Sequence, residues 1–253
     1  MRQPTTLEEF IAPLSVALNH DAIPDIVAAP NVRAIAPAHI TDVMSATQLT
    51  DRFAEEADKV RIHVHRCTRA TIGNALAQAI SEAPAATEEG LPAGPTDAKR
   101  DFTVVFADDP RMTTLHLEDA LNAIPRVARA TRWNPDAGEV ACVEEARTAD
   151  VGITFATAGI AETGTIAQVC NASCGRSVSL LPLTHIAVVE ASTIVPSLLD
   201  VMEQLQARGG AGGRNLPSQV CFISGPSNTS DIELVRVEGV HGPMTVHYLL
   251  LED

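Results

Sequence analysis

The chain has 253 residues, 45% of them hydrophobic but only 3% aromatic, and a formal net charge of −14. That length and apolar content suffice for one large α/β domain with or without an extension, its core built from Val, Ile, Leu and Ala. An acidic balance of this size, without a Lys/Arg cluster, repels phosphate backbones and argues against nucleic acid and anionic membrane surfaces as partners; no apolar run approaches the roughly 18–20 residues that span a bilayer.

Residues 1–48 read as an N-terminal helical extension. "TLEEFIAPLSVAL" opens on Thr6 as N-cap, with Glu8 and Glu9 in the first turn where the helix dipole favours acids. "AAPNVRAIAPAHIT" follows as a Pro- and Ala-rich loop, and "MRQPTTLEEF" lacks a secretory pattern. Residues 49–253 read as the α/β domain. "TQLTDRFAEEADKV" has helical spacing, "RIHVHRC" alternates like a strand, and "TIGNALAQAISEA" returns to the helical period. "APAATEEGLPAGPTDAKR", residues 83–100, combines Pro, Gly and acids and predicts a mobile loop.

A strand follows in "FTVVFA", then helices in "LEDALNAI" and "GEVACVEEARTA". "VGITFA", "GTIAQVC", "SVSLL", "HIAVV" and "QVCFISG" read as strands. "STIVPSLLDVMEQLQARGG" predicts a helix capped by Ser192, with Pro196 in its first turn and Gly209 at its end. A helix in "TSDIELVRV", a turn at "HGP" and the strand "TVHYLLL" close the sequence. Strands alternating with helices predict an α/β fold, a mainly parallel sheet with helices on both faces. "GGAGGRN" follows a helix and so is a loop, not a phosphate cradle.

The five cysteines, Cys67, Cys142, Cys170, Cys174 and Cys221, are scattered and odd in number. They read as free thiols of a reducing compartment, the cytoplasm. Cys170 and Cys174 are spaced x3 with no second pair nearby, so neither a metal nor an iron–sulfur cluster is expected on this chain. His63 and His65 share one face of "RIHVHRC", but the sequence shows no third ligand beside them.

Several motifs have the residue types of a ligand site. Glu162 lies among Thr163, Gly164 and Thr165 in "AETGT", where small neighbours permit close approach; it reads as a nucleophile or base, or as a turn acid capping amides. Arg176 can grip a carboxylate bidentately or anchor a loop. His185, opening "HIAVV", is a candidate base or a hydrogen-bonded structural histidine. Ser227, Asn228, Thr229 and Asp231 sit where a strand leads into an expected helix N-terminus, a place for an anion or for plain capping. His241, between glycines in "GVHGP", is a turn residue able to share that pocket.

Taken in order, "GIT…IAETGT…GRSVSLLP…HIAVV…GPS.T.DIE…GVHGP" resembles the LUD-domain family, in its lactate-utilisation branch, with Asn228 where that family commonly has a basic residue. The likeness implies a sugar-isomerase/CoA-transferase-like α/β fold (the NagB/RpiA/CoA transferase-like type). It also implies an accessory subunit of an iron–sulfur system oxidising L-lactate to pyruvate. Cysteine-rich and iron–sulfur partner subunits would then carry the clusters, and this chain no cofactor. From the place of the motifs at strand ends, and not from the family, Glu162 or His185 is expected to move a proton and Arg176 to orient a small carboxylate. The loop residues hold the ligand, all in one cleft at the carboxyl edge of the sheet. The alternatives are a free-standing CoA-transferase-like or isomerase-like enzyme using Glu162, and a non-catalytic scaffold.

Overall fold

The computed structural model describes residue 13 and residues 43–84, 101–209, 216–230, 236–238 and 241–253. Apart from Pro13, which is helical, the expected N-terminal helix lies outside them, as do residues 85–100 of the expected mobile loop and Asp231. The first described helix, α1 (Ala46–Lys59), starts at a capping box: the Ser45 hydroxyl accepts from the Gln48 amide while Gln48 reaches back to the Ser45 amide. Then come β1 (Ile62–Cys67), α2 (Ile72–Glu82) and β2 (Phe102–Phe106). The short helices α3 (Pro110–Thr114) and α4 (Leu117–Ala123) lead to β3 (Val127–Arg132) and α5 (Glu139–Thr148). The second half holds β4 (Val151–Phe155), β5 (Ala158–Ile160), β6 (Thr165–Cys170), α6 (Ser177–Leu180) and β7 (Thr184–Glu190). It closes with β8 (Ile194–Val195), α7 (Leu198–Gly209), β9 (Gln219–Ile223), β10 (Asn228–Ser230), β11 (Arg236–Glu238) and β12 (Thr245–Leu251).

Six strands form one sheet in the order β1-β12-β7-β4-β2-β3, every neighbouring pair parallel. This is the expected mainly parallel α/β fold. Its central strands read as continuous apolar runs because both faces are covered: all five residues of β4 are buried. One face presents Val104, Ile153, Phe155, Val188 and Leu249 to α2 and α4. The other presents Ala187, Val189, Tyr248 and Leu250 to α1 and to a second, four-stranded sheet, β8-β5-β6-β9. Tyr248 joins the two sheets: its buried hydroxyl lies 3.2 Å from both the Gly164 and the Ile223 carbonyls. Two glycines are forced by contact. A Cβ on Gly152 would sit 1.8 Å from the Val178 carbonyl oxygen of α6, and Gly164, at φ 65°, would place one 2.2 Å from the Ala57 amide nitrogen.

Three expected elements differ. "SVSLL" is not a strand but the single helical turn α6, which fits because Gly152 leaves room for its backbone against β4. The helix expected from Ser192 starts at Leu198. The β-branched Thr193, Ile194 and Val195 precede Pro196, which disfavours helix in the residue before it, and Ile194–Val195 pairs with Gly159–Ile160 instead. The cap is Ser197, whose amide and hydroxyl both donate to Asp200 Oδ2, at 2.8 and 2.6 Å. In "TSDIELVRV" the described residues form not a helix but an antiparallel pair, β10 with β11.

Candidate functional site

In a parallel sheet, loops that follow strands gather at the carboxyl edge, where α/β folds bind ligands. Here β2 runs into Ala107-Asp108-Asp109-Pro110-Arg111, β3 into Trp133, β4 into Thr157, and β7 ends on Glu190. Asp109 caps α3 by accepting from the Arg111 amide at 2.9 Å. Its carboxylate also takes the Arg111 side chain bidentately, Nε to Oδ1 at 2.9 Å and Nη2 to Oδ2 at 2.8 Å. The third guanidinium nitrogen, Nη1, donates to Glu190 Oε1 at 2.9 Å, and the guanidinium carbon lies 4.4 Å from the centre of the Phe155 ring. Burial alone would raise the Asp109 carboxyl, but the bonds from Arg111 outweigh it and hold the group below its ordinary value. Burial likewise opposes the Arg111 charge, and Asp109 and Glu190 overcome it. A second guanidinium, Arg132, donates to Asp108 Oδ1 at 2.8 Å and to Glu118.

Beside these pairs opens a cleft of about 90 Å³, room for several water-sized groups. Asp108, Asp109, Arg111 and Phe155 line one side; Thr157, Asn171, Ser173 and Cys174 line the other. The "CNASC" segment is therefore a wall of this cleft. Burial pushes the Cys174 thiol up to about 12, so it stays protonated and a poor nucleophile at neutral pH. Cys170 Sγ lies 3.6 Å from Cys221 Sγ across β6 and β9, its thiol raised by burial and by that neighbour.

The described residues expected to share one carboxyl-edge cleft are placed differently, and none of them lines this one. Glu162 Oε1 accepts from the Leu198 amide at 3.1 Å, at the start of α7. The Thr163 hydroxyl donates to that of Thr165 at 2.8 Å, and Thr165 to that of Ser224 at 3.1 Å. Ser227 Oγ accepts from the His241 amide at 3.3 Å, and Asn228 Oδ1 from Arg61 Nη2 at 2.8 Å. Thr229 pairs through its backbone with Val237. The "AETGT" and "SGPSN" segments thus do meet, through Thr165 and Ser224, beside Gly164 where it packs on α1. The helix N-terminus expected after them is replaced by β10. Arg176 is exposed just before α6, its carbonyl accepting from Ser179 Oγ at 3.1 Å.

His185 is the second residue of β7, at the opposite, amino edge, and is fully buried. Its Nε2 lies 2.8 Å from Thr154 Oγ1, which spends its one proton on Gln168 Oε1 at 3.1 Å. His185 Nε2 is therefore the donor and Nδ1 the bare nitrogen, which has no partner among the described residues. Burial pushes its pKa down to about 3, so the imidazole is neutral. The Ser227 amide meets the Pro243 carbonyl just ahead of β12, again at the amino edge. The acids and guanidinium that do meet at the carboxyl edge are Asp109, Glu190 and Arg111. Their signal was in the sequence: an acid pair, a proline and an arginine directly after the buried run "FTVVFA".

A second polar cluster sits where β1 and β12 pair in register, His63 opposite His247. The His63 and His247 rings stack with centroids 4.7 Å apart. His65 Nε2 and His247 Nδ1 lie 3.1 Å apart. Glu82, at the end of α2, brings Oε2 to 3.7 Å from the first and 3.8 Å from the second. Burial pushes His247 down to about 4, with His63 and His65 adding to the effect and Glu82 opposing it; burial also lowers His65. His247 Nε2 is buried with no partner among the described residues. Sequence reasoning found His63 and His65 but not the residues that join them, which come from the end of the next helix and from the last strand.

Among the described residues no helix is long and apolar enough to cross a membrane. The LUD domain family model matches residues 50–251. Lactate utilization protein C of Halalkalibacterium halodurans is 42% identical over 150 residues, 59% of this chain and 63% of that protein. The protein of the same name from Bacillus subtilis is 38% identical over 152 residues, 59% of this chain and 62% of that one. In both cases the match spans less than two thirds of the relative's length. Lactate utilization protein C 1 of Bacillus mycoides is 30% identical over 246 residues, 97% of each chain. The crystal structure of a DUF162 family protein from Deinococcus radiodurans superposes with a TM-score of 0.53 at 20% identity, over 82% of this chain and 99% of that one, a likeness of fold. With the match running from the first described helix to the end of the last strand, the chain belongs to the LUD-domain family.

Proposed function

We propose that the chain works in lactate utilisation, as an accessory subunit of a cytoplasmic iron–sulfur system that oxidises L-lactate to pyruvate. The observation that carries this reading is the end-to-end match, 97% of each chain, to a relative named Lactate utilization protein C 1. Oxidising a 2-hydroxy acid to a 2-oxo acid removes two electrons and two protons. The carboxylates, guanidiniums, hydroxyls and protonated thiol of the cleft accept no electron pair. The reading therefore gives electron acceptance to cysteine-rich and iron–sulfur partner subunits, and to this chain the holding of a small carboxylate or the docking of those partners.

The carboxyl-edge cleft suits a molecule of that size. In this reading the ligand's carboxylate takes the place of Glu190 at Arg111 Nη1, and its hydroxyl meets Thr157 or Ser173. The engagement of Glu162 as a cap on α7 favours this role over that of a free-standing acyl-transfer enzyme with Glu162 as nucleophile. The test is growth on L-lactate as sole carbon source: deletion of the chain is expected to abolish it, the wild-type chain to restore it and Arg111→Met to restore it only partly. Undiminished growth of the deletion strain overturns the assignment.

A further inference from the structure

We propose that His65, His247 and Glu82 form a binding site for a divalent transition metal of the zinc and cobalt class, with a fourth position open to solvent. Two imidazole nitrogens and a carboxylate oxygen converge with mutual separations of 3.1, 3.7 and 3.8 Å. Donors about 2.0–2.1 Å from a tetrahedral zinc stand about 3.3–3.4 Å from one another, so shifts of a few tenths of an ångström complete the shell. One shared proton accounts for the 3.1 Å contact between the two imidazoles but not for the place of Glu82. A carboxylate bonded to an imidazole N–H closes to about 2.8 Å, and Glu82 Oε2 stands well outside that distance from both rings.

The donors are held in place. His65 and His247 project from strands in fixed register, with side chains 8% and 1% exposed. Gln78 Nε2 donates to Glu82 Oε1 at 2.9 Å, which fixes the carboxylate and leaves Oε2 directed at the histidines, as an outer-shell partner of a metal ligand does. Nitrogen with a single carboxylate selects zinc, cobalt or nickel over magnesium and calcium. Three protein ligands leave one position free, and access runs past Glu82, whose side chain is 37% exposed, and the exposed His63. His247 Nε2 has no outer-shell acceptor among the described residues, which places the site at the weaker end of protein zinc affinities.

This site lies outside the carboxyl-edge cleft, so its test is independent of lactate. The full chain is titrated with Co²⁺ and followed by visible absorption, and retained Zn²⁺ is measured by equilibrium dialysis. One equivalent per chain is expected, with the intense visible bands of low-coordinate cobalt. His65→Gln abolishes them and Glu82→Gln weakens binding at least tenfold, while His63→Gln stays within about threefold of wild type. His247 is fully buried, so the decisive variants are the two at its more accessible partners, each checked for wild-type circular dichroism. Failure of the wild type to bind either metal, or equal binding by wild type, His65→Gln and Glu82→Gln, overturns the site.

Discussion

The two polar clusters of the main sheet are built on opposite electrostatic plans. At the carboxyl edge two guanidiniums are each met by two carboxylates: Arg111 lies between Asp109 and Glu190, and Arg132 between Asp108 and Glu118. At the β1–β12 edge, neutral imidazoles crowd a carboxylate with no cationic side chain among the three converging groups. Charge compensated by its own neighbours holds loops rigid. Two imidazoles at hydrogen-bond distance and the carboxylate beside them are set by the register of the strands beneath, and the donor atoms they bring together favour a cation.

The contrast is sharpest in acid. His185 and His247 are pushed down to about 3 and about 4, below the ordinary histidine value near 6.5. The unfolded chain then takes up protons that the folded chain refuses. Stability is complete above about pH 6.5 and falls toward pH 4, by up to about 1.4 kcal/mol per pH unit for each histidine. The Asp109, Glu56 and Glu82 carboxyls, held below their ordinary values, contribute mainly at lower pH, so the loss between about pH 6.5 and about 5.5 belongs to the histidines. Urea midpoints should fall steeply across that window and less steeply in His185→Gln; a flat profile breaks the comparison. At the other edge, Arg111→Met strands two half-buried carboxylates and should cost about 1–2 kcal/mol in thermal unfolding, discounted for their exposure. Arg111→Lys recovers less than half, because a single ammonium cannot reproduce the fork. The smallest effect is kinetic. With its thiol near 12, Cys174 should resist maleimide at pH 7 in the folded chain and react on unfolding, as mass spectrometry would show.

Much of the scaffold was legible because buried parallel strands write their burial into the sequence: "VGITF" and "THIAVVE" have few other readings. Where burial was not the deciding term, the reading slipped. β3, "VARATR", is an edge strand with no fully buried residue, so it gave no apolar signal. α6 is a single turn whose position depends on an absent side chain at residue 152, a fact of packing. "TSDIELVRV" carries a helical period, yet its described residues pair as β10 and β11. The site was legible in its residue types and not in its geometry. His185 opens a strand and so falls at the amino edge, whereas Asp109 and Glu190 follow strands and meet at the carboxyl edge. His65 and His247 are 182 positions apart, a distance only the strand order closes.

Tyr248 carries a further consequence. Its hydroxyl ties β12 to carbonyls at Gly164 and Ile223, on the smaller sheet's side, while its chain neighbour His247 points the other way, into the imidazole knot. The strand that positions the histidines is therefore the same one that anchors the region beside the four-stranded sheet, so a Tyr248→Phe change at one face is placed to be felt at the other.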